Sequence, residues 1–402
     1  MHRDLPPPEL IDSDAALGRA LETIAAHGEI AVDTEADSFF SYREKVCLVQ
    51  ITAGEHDWVV DPLAGVDLTP LGRMFADPGK VKVFHDGEYD ILILKRDWRF
   101  EFKNLFDTRI AEAALGVESP GLAAVLRARF GVELDKSMQR SDWSARPLSA
   151  KQIQYARFDT HFLTALMHEQ RRELAARDRA MIVEGECLRL ERLQASEPVF
   201  SADDFVKIKG ARNLDFAAQR RLRELYALRH ELASAADLPA FKVLGNDVLY
   251  AIAERDPHTL SELERVPGFS PKQSRRLGEP VLRALEHAYE LGPLDRTPTP
   301  PARDGTDTLD EPEVELHERL KEWRRQRGVE LGVDSALVLN RHVLLRLAKR
   351  RPTTLAELEE IEGLMPWQRE RYGAHLIETI ARAWSEIPKE SGLRRRRRGP
   401  RR

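Results

Sequence analysis

The apolar positions of this chain change period along its length. Near the start they come in short runs between polar turns, at 29–33, 46–52, 58–61 and 81–84. Runs of that length and bounding predict strands. The turns between the first three are short, which predicts an antiparallel meander. Among and after these runs the apolar spacing lengthens to three or four residues. It predicts helices over 68–75, 89–95, 108–115, 122–130 and from 150 to about 175. Strands first, then strands mixed with helices, predict an α/β domain over residues 1–195, with a mixed sheet flanked by helices.

From about residue 210 the pattern is nearly all helical, and it repeats. Val248, Pro257, Leu260, Leu263, Gly268, Pro271 and Gly278 recur, all in one register, as Val343, Pro352, Leu355, Leu358, Gly363, Pro366 and Gly373. A Thr-x-x-Glu capping box recurs with them, as Thr259/Glu262 and Thr354/Glu357. Two copies of one small all-α domain are therefore expected, over 210–291 and 313–390, with the Leu and Val stripes as their cores. Residues 292–312 are rich in Pro, Thr, Asp and Gly and read as a flexible linker. Residues 391–402 carry Arg394 to Arg398 and two further arginines, and so dense a run of like charge predicts a disordered tail.

Composition narrows the classes. A length of 402 residues fits two or three domains. No apolar run approaches the roughly 18 residues of a membrane span, and the first residues lack the apolar core of a signal peptide. The two cysteines, Cys47 and Cys187, have no neighbours at metal-ligand spacing. A zinc site and a disulfide framework are not expected, and a cytoplasmic location is. The net charge of −5 argues against a chain coated in positive charge. It leaves room for local patches that bind nucleic acid.

The candidate chemistry lies in five residues. Asp33 and Glu35 stand two apart at the end of a strand, so both leave one face of the sheet. Tyr155 and Asp159 stand four apart in a helical pattern and share a face. Asp90 follows the strand at 81–84. Carboxylates from separate elements that converge repel one another, and a hard divalent cation with oxygen ligands relieves that repulsion.

These segments, Ile-Ala-Val-Asp-Thr-Glu-Ala, Phe-His-Asp-Gly-Glu-Tyr-Asp and Tyr-Ala-Arg-Phe-Asp, resemble the three motifs of the DEDD superfamily of 3′-to-5′ exonucleases, tyrosine subclass. Phe106-Asp107-Thr108 and the stretch from Leu134 to Leu148 look like the ribonuclease D family within it. The two helical copies resemble the HRDC domain. The resemblance implies a ribonuclease H-like exonuclease domain followed by two HRDC domains. It also implies two magnesium or manganese ions on Asp33, Glu35, Asp90 and Asp159. By that resemblance Asp33, Glu35 and Asp159 hold the ion that binds the attacking water, and Asp33 bridges to the second with Asp90 assisting. Tyr155 orients the water or helps deprotonate it. The implied activity is metal-dependent trimming of tRNA precursors and other structured RNAs, with release of nucleoside 5′-monophosphates. A monomer is expected, since no oligomerisation stripe stands out.

His85, Lys136, Gln139 and Arg140 are candidate RNA contacts, each with a structural alternative. Asp37, Asp86 and Glu88 flank the motifs without a role implied by the family, and Asp107 is expected to cap a helix. Trp143 is expected to be a packing anchor. Phe158 and Phe162 depart from the family pattern without removing a ligand. Arg341, Arg346, Lys349, Arg350, Arg351, Arg369 and Arg371 in the second copy, with the arginine tail, form the expected basic handle on RNA. Two other readings stand beside the leading one: a DNA exonuclease with the same chemistry, and a silent RNA-binding scaffold. No phosphate loop of a helicase motor is present. All four acids are present, which argues against the scaffold.

Overall fold

The strand Val46–Ala53 is buried along its whole length, and the sheet is built outward from it. Its apolar run has no polar face because the sheet is covered on both sides. The structure, a computed structural model, describes residues 5–118, 120–197, 199–299 and 309–388. Its six strands are β1 (Glu9–Ile11), β2 (Glu29–Ala36), β3 (Val46–Ala53), β4 (His56–Val60), β5 (Val81–Phe84) and β6 (Leu105–Asp107). They lie in the order β1-β4-β3-β2-β5-β6. β2, β3 and β4 form the predicted antiparallel meander. β1 joins β4, and β5 and β6 extend the other edge, all in parallel. The sheet is therefore mixed, as predicted, although β1 and β6 were not foreseen. Each has three residues, too few to show a period.

The helices of this part are α1 (Asp14–Ala25), α2 (Thr69–Ala76), α3 (Glu88–Trp98), α4 (Thr108–Ala114), α5 (Leu122–Phe130), α6 (Ala150–Thr160), α7 (Leu163–Ala176) and α8 (Ala180–Glu191). The single long helix predicted from residue 150 is thus two, broken at His161 and Phe162. α6 begins with a full capping box, in which Ser149 and Gln152 satisfy each other's backbone N–H groups. Both cysteines are buried, and neither forms a disulfide among the described residues.

The two helical copies align element by element. α9 (Phe216–Ala235), α10 (Ala240–Val243), α11 (Asn246–Arg255), α12 (Leu260–Leu263) and α13 (Pro271–Leu291) form the first. α14 (Glu311–Leu331), α15 (Ser335–Val338), α16 (Arg341–Arg350), α17 (Leu355–Glu359) and α18 (Pro366–Glu386) form the second. The backbone repeats in detail. Asp256 and Arg351 both end a helix in the left-handed region, at φ 56° and 50°. Gly268 and Gly363 both sit at φ 83°. A Cβ on Gly268 would fall 2.8 Å from a methyl of Val248, and one on Gly363 would fall 3.3 Å from Val343. The recurring Gly–Val pair is therefore one turn packed on one helix.

Two expectations for the copies are modified. Thr259 and Thr354 cap their helices as predicted, but Glu262 and Glu357 accept from the N–H of His258 and Thr353, one residue before the cap. Leu260 and Leu355 are not core: they are 43% and 58% exposed. Each lies over the glycine that recurs with it, Gly278 or Gly373, where a Cβ would fall 2.5 or 3.0 Å from a leucine methyl.

The described residues divide into two compact units. The first takes those within 1–108, 122–168 and 190–301, and so holds the whole sheet and the first helical copy. The second takes those within 109–121, 169–189 and 302–402. The arginine tail lies outside the described residues, as do residues 300–308 of the expected linker.

Gly268→Ala is expected to destabilise the chain by about 1–2 kcal/mol from the left-handed backbone alone, with the Val248 clash added. Urea unfolding followed by circular dichroism checks this; an unchanged midpoint would refute the turn assignment.

Candidate active site

Asp33 and Glu35 stand on β2 opposite Gln50 and Leu48 of β3. The β-bulge after Glu35 ends the regular pairing there. Carboxylate oxygens of Asp33, Glu35 and Asp159 lie within 4.8 Å of one another. Asp159 reaches them from α6, one turn after Tyr155, whose hydroxyl donates to its carboxylate. Asp90, in the first turn of α3, is buried beside this trio rather than in it. One of its oxygens accepts from the N–H and the hydroxyl of Thr34, at 3.0 and 2.5 Å. Thr34 lies between the two β2 ligands, so it ties the second motif to the first. No local pattern in the sequence marks Thr34.

Crowding is visible in the acidities. Burial and then Asp159 and Asp90 push Glu35 up to about 9. Burial and Asp90 push Asp159 up to about 8. Burial raises Asp90 to about 6 against the hydrogen bonds from Thr34. Burial and all three neighbours hold Asp33 well above the carboxylate range. Groups raised as far as Glu35 and Asp159 favour their protonated forms near neutrality unless a cation takes the proton's place. The donors are all hard oxygens, which suit magnesium or manganese rather than softer metals. Opposite Asp33, the Gln50 amide is fully buried and neither of its polar atoms has a hydrogen-bond partner among the described residues. A buried polar group left over beside a carboxylate trio fits a site completed by an ion and its waters. Burial, Asp159 and Glu35 push the Tyr155 hydroxyl far above its ordinary value.

The helix that carries Tyr155 and Asp159 is clamped from behind. Asp57 on β4 accepts from Arg157 Nε at 2.6 Å and pairs with His161 Nδ1 at 2.9 Å. Arg157 and Asp57 side chains are each 2% exposed. Thr52 of β3 meets both Asp57 and Thr160. Arg157 also donates to the Pro6 carbonyl. These contacts fix the rotation of α6, and so where its two functional side chains point. Sequence reading missed them, since Asp57 and Arg157 are partners 100 residues apart. Burial alone would raise Asp57, but its partners hold it below the usual carboxylate range. Trp143, buried as expected, packs against the Tyr155 ring with centroids 5.9 Å apart. Its loop is held by Arg146, which makes a two-pronged bond to Asp61 and also donates to the Trp143 carbonyl.

The other candidates separate. His85 bonds the Thr108 hydroxyl, its structural alternative. Asp107 reaches backward, accepting from the N–H groups of Asp86 and Gly87 at the entry to α3. Asp37 is buried and organises the turn after β2 through Ser41 and Lys45. Lys136, Gln139 and Arg140 are exposed. Phe158 stacks on Phe162, and it lines a cavity of about 170 Å³ beside Tyr155 and Asp159, with Leu134, Met138 and Lys151. In the second helical copy Arg346, Arg350, Arg351 and Arg371 each face a carboxylate, of Glu362, Glu360, Glu313 and Asp178. Four of the seven residues of that expected basic face are thus paired with a carboxylate.

Residues 8–175 match the 3'-5' exonuclease family, and residues 218–285 and 313–380 each match the HRDC domain. Ribonuclease D of Escherichia coli (strain K12) is 32% identical over 293 residues, covering 73% of this chain and 77% of that protein. Ribonuclease D of Sphingobium indicum is 31% identical over 382 residues, covering 92% and 94%. The crystal structure of Escherichia coli RNase D, described as an exoribonuclease involved in structured RNA processing, superposes with a TM-score of 0.66. It shares 26% identity and covers 94% of this chain and 99% of that one.

Two outcomes are expected. The acids' folded values lie above their ordinary ones, so the stability they confer is full below about 4 and is lost as pH rises through about 6, 8 and 9 for Asp90, Asp159 and Glu35. Metal-free protein should melt at falling temperatures across that window, magnesium should restore most at its alkaline end, and Asp159→Asn should flatten the slope. A pH-independent melting temperature in chelator would count against the crowded site. Separately, Asp57→Ala strands a buried guanidinium and should cost about 3–5 kcal/mol, measured by denaturant unfolding.

Proposed function

The chain belongs to the ribonuclease D family and is a 3′-to-5′ exoribonuclease, and from that premise we propose that it trims the 3′ ends of tRNA precursors and other structured RNAs. The observation that carries this reading is the convergence of Asp33, Glu35 and Asp159 within 4.8 Å, with Tyr155 donating to Asp159. Asp33, Glu35 and Asp159 would hold one divalent cation, and Asp33 with Asp90 assisting a second, both magnesium or manganese. Bound there, the ions supply activation of water and stabilisation of charge on the leaving 3′ oxygen.

The chain's own groups do the rest. The Tyr155 hydroxyl, its one proton directed at Asp159, orients the attacking water by accepting a hydrogen bond from it. Trp143 behind it and the Asp57–Arg157 clamp below it keep that direction fixed. Water adds to the terminal phosphorus, the 3′ oxygen of the preceding nucleotide departs and takes up a proton, and a nucleoside 5′-monophosphate leaves. Lys136, Gln139 and Arg140, exposed before α6, supply phosphate contacts. We assign the nuclease domain to residues 1–195 and the helical domains to 210–291 and 313–390. The helical domains hold the RNA body, and tethering raises the local concentration of its 3′ end at the acids. The reading includes a monomeric chain acting in the cytoplasm.

The test is digestion of a 3′-extended tRNA precursor with magnesium, beside single-stranded DNA of equal length. Stepwise shortening of the RNA alone is expected. Asp33→Ala should lower the rate by more than the roughly 100-fold that follows loss of a group merely supporting a metal ligand. Preferential shortening of DNA would replace this reading with a DNA exonuclease.

A further inference from the structure

The turn that follows Glu35 does not end at the metal site. Asp37 holds it rigid: its carboxylate accepts from the Ser41 hydroxyl and the Lys45 N–H, and its carbonyl from the N–H groups of Phe40 and Ser41. The turn then makes contact with the first helical copy, in the same compact unit. The Tyr42 hydroxyl bonds His230 of α9, and the Tyr42 N–H donates to Asp237 at 3.0 Å. Phe200 stacks on the other side of the His230 ring and on Tyr226. These contacts dock α9 and the residues just after it against the turn.

At that junction two large aromatic rings face solvent. Phe39 is 45% exposed and Phe241 of α10 is 56% exposed. They meet edge to face with centroids 6.5 Å apart. Cations surround them. Arg140 lies over the Phe39 ring at 5.9 Å, and Lys242 lies over the neighbouring Phe40 ring at 4.1 Å. Arg140, Lys242 and the exposed Arg43 have no carboxylate partner among the described residues, in a chain of net charge −5 where many other arginines do. Exposed aromatic rings cost free energy in water, and they are normally hidden unless something covers them. Rings interleaved with unpaired cations are the surface on which single-stranded nucleic acid stacks, every base having a face to offer and every linkage a charge. Phe39 is four residues from Glu35, so it lies within about 14 Å of that ligand along any path of the chain. A strand whose 3′ end sits at the acids would reach it within a few nucleotides.

We propose that Phe241 and Lys242 of the first helical domain, together with Phe39 and Arg140, form a stacking platform for the single-stranded RNA upstream of the scissile nucleotide. The helical domain thus completes the substrate channel as well as holding the RNA body. This rests on the exoribonuclease reading above and adds the course of the strand.

The experiment uses the full chain. Phe241→Ala and Lys242→Ala are compared with the unaltered chain on a long single-stranded RNA and on a dinucleotide too short to reach the platform. For the long RNA we expect KM to rise about tenfold for Phe241→Ala, in line with loss of one stacked base, with kcat unchanged. Dinucleotide cleavage should be unchanged, and Phe241→Trp should restore the KM. In parallel, RNA carrying 2-aminopurine a few positions from its 3′ end, bound to the uncleaving Asp33→Ala chain, should lose fluorescence. Phe241→Ala added to that chain should return it. Long-RNA KM equal to that of the unaltered chain with quenching intact would overturn the platform. So would a parallel fall in dinucleotide cleavage, which would mark Phe241 as structural. If the unaltered chain digests no RNA, the exoribonuclease reading fails by itself, and the fluorescence comparison still decides the platform.

Discussion

Four buried carboxylates held close to one another repel, and much of the surrounding structure serves to keep them there. Their repulsion is felt in the raised proton affinity of every member. A loose scaffold would relieve it by letting α6 or α3 drift outward. Here each element is pinned by a separate contact. α3 is held to β2 by Thr34 on Asp90 and at its entry by Asp107. α6 is held to β3 and β4 by Thr52, Asp57 and Arg157. The clamp is itself a buried ion pair, which is expensive to form but, once every hydrogen bond is made, punishing to break. It therefore gives α6 one position instead of a range.

How much of this was legible in the chain depended on distance along it. Asp33 with Glu35, and Tyr155 with Asp159, could be read because each pair sits on one element with a known period. Asp90 could be placed only as following a strand, and the structure brings it beside the other acids without joining their close trio. Asp57 and Arg157 carry no local signature. An aspartate in a strand and an arginine in a helix are ordinary residues until the sheet topology brings β4 under α6. The same holds for β1 and β6, which are strands only because β4 and β5 offer them edges. The break between α6 and α7 was hidden because the apolar spacing continues through His161 and Phe162.

The helical copies were legible for a different reason. Their repeat needed no knowledge of either fold, only a fixed register of Val, Leu, Gly and Pro. The second copy has a local run of basic residues from Arg341 to Arg351, but such a run does not record which carboxylate each arginine faces. Arg351, for example, lies over Trp384 and pairs with Glu313. Such a residue is part of the domain's own packing.

The matching glycines have a consequence for how the duplication has aged. Gly268 and Gly363 are held by backbone geometry and by a valine methyl, and Gly278 and Gly373 by the leucine that covers them. A side chain at these places meets a steric obstacle in both copies alike. The surfaces were under no such restraint: α10 presents Phe241 and Lys242 where α15 presents Ala336 and Leu337. The likeness between the copies is thus a record of what cannot change, and it carries no message about shared recognition. Ancestry is written in the turns, and the division of labour in the residues that drifted apart.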